Sequence, residues 1–420
     1  MLLRRAEETT STVGNVLSGM PLSDASRRPV GILSWPGQLR LSSLPIALLL
    51  TSHTAALIFN LNIAIDALLT IGSLALMLVV TDGRRPTSAE KRKALTPFAV
   101  AALLAVAIAT LFNASAPALI RLGVLAAFYV LVPMSIIRVR QASILAGIVV
   151  YGIVESLLVI LFREEFNPNA AAQRVIVALC VLGYCIGPWW IRYLSPAAAT
   201  VWAIGLESRT ALAAGWIAFF YVEFVRTKSM RVLGKQPILF LTIIGVVLAI
   251  VRTAGMEYLT YESPPVVQEF FRDKQERDLN EDPFDRQQMW QAGWRAVYQR
   301  PWVGVGLGNE LLATGEMRAH SAYLKLAIES GIPSAIVVVI FFLFMLHVSF
   351  RRLLQSPMDP LVQLTCFCLI YLLVSAFFES SGMFSIGTPT NLIAYLGFCR
   401  TAFCESRATV GTRTGTTCKS

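Results

Sequence analysis

Charged residues are scarce in this chain. Only 15% of its 420 residues are Asp, Glu, Lys or Arg, whereas 55% are hydrophobic, and the mean hydropathy is +0.62. This composition excludes an ordinary soluble protein. Continuous apolar runs recur along the chain, and a helix needs about twenty such residues to cross a bilayer. Because the runs do not alternate in polarity, they also exclude a transmembrane β-barrel. The predicted fold class is an all-α polytopic membrane protein.

Histidine is scarcer still, and no cluster of metal-binding residues is visible. Of three histidines, His53 and His347 lie within apolar runs, so His320 alone lies outside a predicted membrane helix. The seven cysteines form neither a disulfide framework nor a zinc motif. The acidic run at residues 273–285 alternates with Arg and Lys, which is typical of a solvated surface. We therefore expect neither a metal ion nor another cofactor.

A cleavable signal peptide is also missing, because residues 1–41 carry five arginines and no apolar core. The first hydrophobic helix then serves as the targeting signal. We predict nine membrane helices within residues 42–255 and three within 332–404, with cytoplasmic segments at 1–41 and 405–420. The twelve predicted spans are 42–60, 61–80, 94–113, 115–137, 142–162, 172–189, 194–207, 210–225, 236–254, 332–350, 360–378 and 389–404.

The net charge of +10 is concentrated in short loops between the apolar runs. With a cytoplasmic N-terminus, twelve crossings place every strongly basic loop inside, as the positive-inside rule requires. The charge is thus explained by topology, and no nucleic-acid partner is expected. One connection differs: residues 256–331 fall outside and hold twelve Asp or Glu against eight Lys or Arg, a net charge of −4. Function is expected in this large external loop.

The first of two short helices expected in this loop begins at Pro283. Asp282 suits its N-cap, and proline suits its first position. Four residues recur at helical spacing and predict one packed face that ends before Pro301: Arg286, Trp290, Trp294 and Val297.

The second loop helix is predicted from near His320 to Ser330, ended by Gly331 and Pro333. Between the two helices, residues 304–308 read Gly-Val-Gly-Leu-Gly. This resembles a dinucleotide-binding motif, but no strand precedes it and no βαβ unit is available. The glycines are instead expected to let the chain turn tightly.

Four charged residues are predicted near the outer ends of membrane helices. Arg209 lies in the turn between helices seven and eight, and residues 193–225 are about seven residues too short for two full spans. The turn is therefore expected to be recessed, where an arginine either meets an anion or snorkels to headgroups. Asp66, Arg121 and Glu155 fall at comparable depth and could neutralise one another within the bundle, which we expect for Asp66 and Glu155, whereas Arg121 is a candidate for lining a cavity.

His320 is the candidate catalytic base. A lone histidine equally fits a structural or solvated residue, but its position near a helix N-terminus disfavours the charged imidazolium. A neutral ring can accept a proton near pH 7. Whether His320 or Ser321 caps the helix stays open at this point.

Four loop motifs, in their order and spacing, resemble the signature loop of the O-antigen ligase and Wzy polymerase superfamily. They are Arg286 with Trp290, Arg-Pro-Trp-Val-Gly-Val-Gly-Leu-Gly-Asn at 300–309, His-Ser-Ala-Tyr-Leu at 320–324, and Glu-Ser-Gly-Ile-Pro at 329–333. Ser-Arg-Thr-Ala-Leu at 208–212 resembles the family's upstream arginine motif, so the likeness covers roughly residues 208–334. Ser321 departs from the family, which commonly has Asn there, and this affects the hydrogen bonding around His320.

The resemblance implies a GT-C-like glycosyltransferase in the bacterial inner membrane, with its site facing the periplasm. Its donor would be a glycan on undecaprenyl diphosphate, used without metal or nucleotide sugar, and its acceptor lipid A-core or another glycan. His320 would activate the acceptor hydroxyl. Arg209 and Arg286 would bind the donor diphosphate, and we add Arg121 as a third substrate-binding candidate.

Three alternatives remain beside the predicted ligase. A Wzy-type polymerase would use another lipid-linked repeat as its acceptor. A protein O-oligosaccharyltransferase would share the loop and differ in acceptor. A twelve-helix transporter would show two similar halves and usually a long central cytoplasmic loop, and neither is seen in the sequence.

Overall fold

Helices are the only regular secondary structure in the part of the chain that the computed structural model describes. That part comprises residues 41–58, 62–80, 97–113, 115–162, 168–186, 189–205, 208–227, 283–315, 318–377, 379 and 388–403. After a 3₁₀ turn at Leu41–Ser43, the described α-helices are α1 (Leu44–Ile58), α2 (Ile63–Val79), α3 (Pro97–Phe112), α4 (Ala116–Ile136), α5 (Gln141–Leu161), α6 (Pro168–Ile186), α7 (Trp189–Gly205), α8 (Arg209–Thr227), α9 (Pro283–Gln299), α10 (Glu310–Thr314), α11 (Ala322–Gln355), α12 (Pro360–Ser375) and α13 (Pro389–Phe403).

Local capping signals explain where several of these helices begin. The Ser115 side chain accepts a hydrogen bond from the Ala118 N–H at 3.4 Å and caps α4. The Asp359 carboxylate accepts from the Leu361 and Val362 amides and caps α12, which starts at a proline. In each case a polar side chain satisfies amides that the first helical turn leaves without a backbone partner.

Among the described helices, three are long and apolar enough to cross a membrane, namely α4, α5 and α11. Shorter apolar stretches lie in α1, α2, α3, α6 and α12. The predicted all-helical character is confirmed for the described residues, and these three helices are consistent with a membrane protein. Eleven of the twelve predicted segments overlap a described helix, while 236–254 lies outside the described residues. The number of crossings and the GT-C-like arrangement stay predictions.

Aromatic packing holds α11 against α4 and α13. The ring centroids of Tyr129 and Tyr395 lie 4.6 Å apart, and Phe341 lies 5.9 Å from Tyr129. The Tyr395 hydroxyl donates to the Tyr129 carbonyl at 2.9 Å. These side chains are fully or almost fully buried, so the apolar half of α11 has a fixed position in the bundle.

The partner of Glu155 corrects one prediction. Glu155 on α5 is neutralised by Arg174 on α6, with Nη1 and Oε1 2.6 Å apart, and not by Arg121, the cation of the predicted set. The Thr54 hydroxyl donates to both carboxylate oxygens at 3.0 and 2.8 Å, and Arg174 also contacts that hydroxyl. The buried ion pair therefore joins α1, α5 and α6. Asp66 lies in the first turn of α2, where the helix dipole favours a negative charge.

The shortfall predicted for helices seven and eight is smaller in the structure, where α7 has 17 residues and α8 has 19. Helix α7 begins at Trp189, not at 194, and α8 continues to Thr227. The added turns carry two charged side chains, Arg192 and Arg226. Their guanidinium groups lie 3.8 and 2.5 Å from the carboxylate of the buried Glu223. The recess of the Arg209 turn stays a prediction. The turn itself lies where predicted, since α7 ends at Gly205 and α8 begins at Arg209.

The packed face of α9 also differs from the prediction. The helix begins at Pro283 as expected, while Asp282 lies outside the described residues. Trp290 and Trp294 are 41% and 50% exposed, whereas Val297 is buried as predicted, together with Gly293 and Ala296. These small residues meet Leu324 and Ile328 of α11, and a Cβ at position 293 would lie 2.7 Å from Leu324. The helices approach too closely for tryptophan at that contact.

Candidate active site

The segment at residues 301–308 wraps the end of the first part of α11. Val305 donates its N–H to the Ile328 carbonyl at 2.9 Å, and Gly306 donates to the Glu329 carbonyl at 2.8 Å. In return, the Ile332 N–H reaches the Pro301 carbonyl at 2.8 Å. Carbonyls at a helix end lack intrahelical partners. The segment supplies those partners, so the loop and the helix form one hydrogen-bonded unit.

Gly331 and Gly304 allow this close approach. Gly331 has φ 79° and ψ 162°, which kinks α11 and divides it into a short first part, residues 322–330, and a long apolar part. A Cβ at Gly331 would collide with the Trp302 backbone, and one at Gly304 would lie 2.5 Å from the Ile328 carbonyl oxygen. Gly304 also has a positive φ of 63°. The prediction of a tight glycine turn, and of a helix break at Gly331, is confirmed.

Asn113, immediately after α3, fixes the glycine segment to the bundle. Its Nδ2 donates to the Gly304 carbonyl at 3.1 Å, and its Oδ1 accepts from Arg300 at 2.6 Å. No local pattern distinguishes this residue, because its partners lie 187 or more positions later in the chain. Asn113 therefore sets the position of the loop relative to α3.

Arg121 of α4 reaches the same segment. Its guanidinium lies against Gly308 so closely that a Cβ at position 308 would overlap it, and the side chain is exposed. The Gly308 N–H donates to the Glu329 carboxylate at 2.9 Å. Glu329 is buried. It lies before the kink at Gly331 and outside the predicted membrane helix at 332–350. Burial raises the pKa of its carboxyl, while the charges of Lys325 and Arg121 lower it.

His320 has a left-handed backbone, with φ 45°, and is the one non-glycine residue with a positive φ in the described part. Such a conformation is unfavourable for an L-residue and is common at functional sites. Ser321 is the N-cap of α11, since its side chain accepts from the Leu324 N–H at 3.5 Å. This resolves the alternative left open by the sequence, and the partly exposed His320 immediately precedes the cap.

Contacts on both sides hold the backbone of His320. Before it, the Ala319 N–H donates to Glu310 Oε1 at 2.7 Å. After it, the Ala322 N–H and the Ser321 hydroxyl both donate to the carbonyl of Ala376, the C-cap of α12, at 2.8 and 3.2 Å. Glu310 and Ala376 are further residues that sequence reasoning missed.

Tyr323 lies one turn after His320. Its hydroxyl donates to the Leu373 carbonyl at 2.8 Å, and its ring lies 4.7 Å from that of Phe377. Burial raises the pKa of Tyr323 to about 12. The phenol is therefore protonated near neutral pH and cannot serve as the base.

Arg209 and Arg286 are placed by their backbones alone, because their side chains lie outside what the structure describes. Arg209 is the first residue of α8, after Ser208, whose hydroxyl accepts from the Ala211 N–H at 3.3 Å. Arg286 lies in the first turn of α9. Helices α8 and α9 both pack against α11. The joint contact of the two arginines with a diphosphate stays a prediction.

An open cleft lies on the exposed face of α9. It has a volume of about 390 Å³ and is lined by Gln291, Trp294, Arg295 and Tyr298. Within the described ranges, no group of three His, Cys, Asp or Glu side chains is arranged to hold a metal ion.

Comparison with known families gives a match that covers the region containing the glycine segment and His320. Residues 195–339 match the family model described as O-Antigen ligase. The match runs from within α7 to within α11, so it includes Arg209, Arg286, the glycine segment and His320. Comparison with curated proteins gives no match. The match confirms the family resemblance drawn from the loop motifs.

Proposed function

We propose that the chain is an O-antigen ligase of the O-antigen ligase and Wzy polymerase superfamily, a proposal supported by the family match over residues 195–339. In this proposal the enzyme transfers a glycan from undecaprenyl diphosphate to a sugar hydroxyl of lipid A-core. The reaction takes place at the periplasmic face of the bacterial inner membrane and uses no metal ion.

The observation that carries the proposal is the placement of His320 within the matched region. It has a left-handed backbone, directly precedes the N-cap of α11, and is held from both sides by hydrogen bonds to its neighbours. A neutral imidazole in this position takes the proton from the acceptor hydroxyl. The hydroxyl oxygen then attacks the anomeric carbon, and the bond from that carbon to the diphosphate oxygen breaks. Attack opposite the leaving group inverts the anomeric centre.

The leaving diphosphate needs cationic partners as its charge grows. Arg209, Arg286 and Arg121 supply planar guanidinium groups that can bind phosphate oxygens with two hydrogen bonds each. Contacts that strengthen in the transition state lower the barrier to transfer. The exposed side chain of Arg121 at the glycine segment supports its role in this set.

The helix ends that meet the loop support an external site. Asn113 follows α3, Arg121 lies near the start of α4, and Ala376 follows α12. All three contact the matched region, and the sequence-based topology places all three ends on the outer side. A single external face formed by these ends is consistent with one active site in the periplasm.

Deletion of the gene separates the two main functions. A ligase mutant accumulates full-length polymer on its lipid carrier, whereas a polymerase mutant accumulates single lipid-linked repeats. The family match is shared by ligases and polymerases, so the second outcome would replace our proposal with a Wzy-type polymerase. Reconstitution of the purified protein with the accumulated carrier-linked glycan and lipid A-core then tests the transfer directly.

A further inference from the structure

The left-handed backbone of His320 requires groups that hold it. An L-residue keeps such a conformation only where its surroundings fix it. On the downstream side this is done by the Ala376 carbonyl, which accepts from Ser321 and Ala322. On the upstream side, the Ala319 N–H donates a hydrogen bond to the carboxylate of Glu310.

Glu310 is a buried acid within a short helix of the loop. It is 4% exposed, and Ala319, whose N–H it accepts, is fully buried. Burial of a carboxylate is unfavourable unless its oxygens have partners. Oε1 has the Ala319 N–H at 2.7 Å, and Oε2 has the Lys325 ammonium at 3.5 Å. The side chain thus connects α10, the residue before His320 and the first part of α11.

We propose that Glu310 is a positioning residue that holds His320 in its reactive orientation through the Ala319 N–H. The inference rests on the proposed function, in which His320 is the base. Without the carboxylate, the Ala319 amide is buried without its acceptor and the upstream side of the histidine is no longer held. A displacement of about 1 Å at a reacting group can cost about 100-fold in rate.

Two substitutions separate positioning from charge. Glu310→Ala removes the acceptor, and we expect kcat to fall by about 100-fold with little change in the donor KM. Glu310→Gln keeps an oxygen that can accept from Ala319, so it should restore most of the lost kcat. Leu312→Ala, at an 85% exposed position of the same helix, is the control and should leave both parameters unchanged.

The double variant His320→Ala/Glu310→Ala decides whether the acid acts through the histidine. If it does, the double variant should be no slower than His320→Ala alone, because the positioned group is already absent. A further loss, or equal kcat in Glu310→Ala and wild-type, would overturn the inference while leaving His320 as the base. Full activity of His320→Ala would instead overturn the proposed function. Size-exclusion profiles and thermal unfolding test whether each variant is folded. If Glu310→Ala is unfolded, Glu310→Gln decides the question, and its failure to approach wild-type kcat would overturn the inference.

Discussion

The guanidinium of Arg121 lies directly against the Cα of Gly308, leaving no space for a side chain there. This contact joins a residue near the start of α4 to a loop position 187 residues later. It gives the glycine segment a second function beside its turn, which is to leave room for a cation at the candidate site.

Gly308→Ala should therefore displace Arg121 and reduce transfer. The substitution also imposes a left-handed backbone on an alanine, since Gly308 has φ 77°, at a stability cost of about 1–2 kcal/mol. Gly315→Ala is a matched control, because Gly315 has φ 65° but nothing within 4 Å of its Cβ position. Thermal unfolding should show similar losses for both variants, while the transfer assay should show a specific loss in Gly308→Ala. Equal activities would remove Arg121 from the site.

Arg209→Lys and Arg286→Lys test the diphosphate contacts. Lysine keeps the charge but loses the planar fork. A hydrogen bond to a charged group contributes about 1.5–3 kcal/mol, so each variant should lower kcat about ten- to 100-fold. Arg351→Lys, at an exposed position near the end of α11, provides the control. Near-normal kcat in both variants would mean that the site attracts anions only through general charge, and a change confined to KM would indicate ground-state binding.

His320→Ala should lower transfer by about two to four orders of magnitude, the usual contribution of a positioned base. His347→Ala, which changes an exposed histidine of α11, should not. The wild-type rate should fall as the pH drops through the titration range of histidine, because imidazolium cannot accept a proton. Transfer by His320→Ala with an unchanged pH profile would assign the base to another residue.

The side of the membrane on which the loop lies can be measured directly. Gln275 is within the predicted loop but outside the described residues. A cysteine at this position, in a background without native cysteines, should react with an impermeant maleimide in intact spheroplasts. A cysteine at exposed Gln355, at the predicted cytoplasmic end of α11, should react only after lysis. The reverse pattern would invert the topology and the proposed site with it.

Removal of Arg174 should destabilise the helical bundle without involving the reaction. Arg174→Met leaves Glu155 buried without its cation, and breaking such a pair costs about 3–5 kcal/mol. The double variant Glu155→Gln/Arg174→Met should recover part of this loss, because no unpaired charge remains. Thermal unfolding in detergent measures both. A single variant as stable as wild-type would show that the ion pair makes no net contribution.

Local signals made much of the fold predictable. Pro283 at the start of α9, the glycine turn and the break at Gly331 all depend on backbone preferences of single residues. Helix positions followed from apolar runs. The residues of the loop motifs could also be selected from the sequence, because their order and spacing resemble the signature loop of the superfamily.

Contacts between distant parts of the chain were not predictable in the same way. Nothing near Glu155 in the sequence distinguishes Arg174 from any other arginine at a helix end. Helical spacing grouped Trp290 and Trp294 on a packed face, but the face that packs is chosen by how closely α11 approaches at Gly293. Asn113 and Glu310 are ordinary polar residues until their long-range partners are known.

The hydrogen bonds that fix Ser321 and Ala322, the two residues after His320, to Ala376 have a geometric consequence for a lipid-bound substrate. A carrier held in a bilayer presents its diphosphate at a nearly constant height. Because the histidine is fixed to the end of α12, its own height follows the length of that helix and not the extent of the loop. One helical turn corresponds to about 5.4 Å, so inserting or deleting a turn in α12 would shift the base out of register with the carrier, even with every loop residue intact.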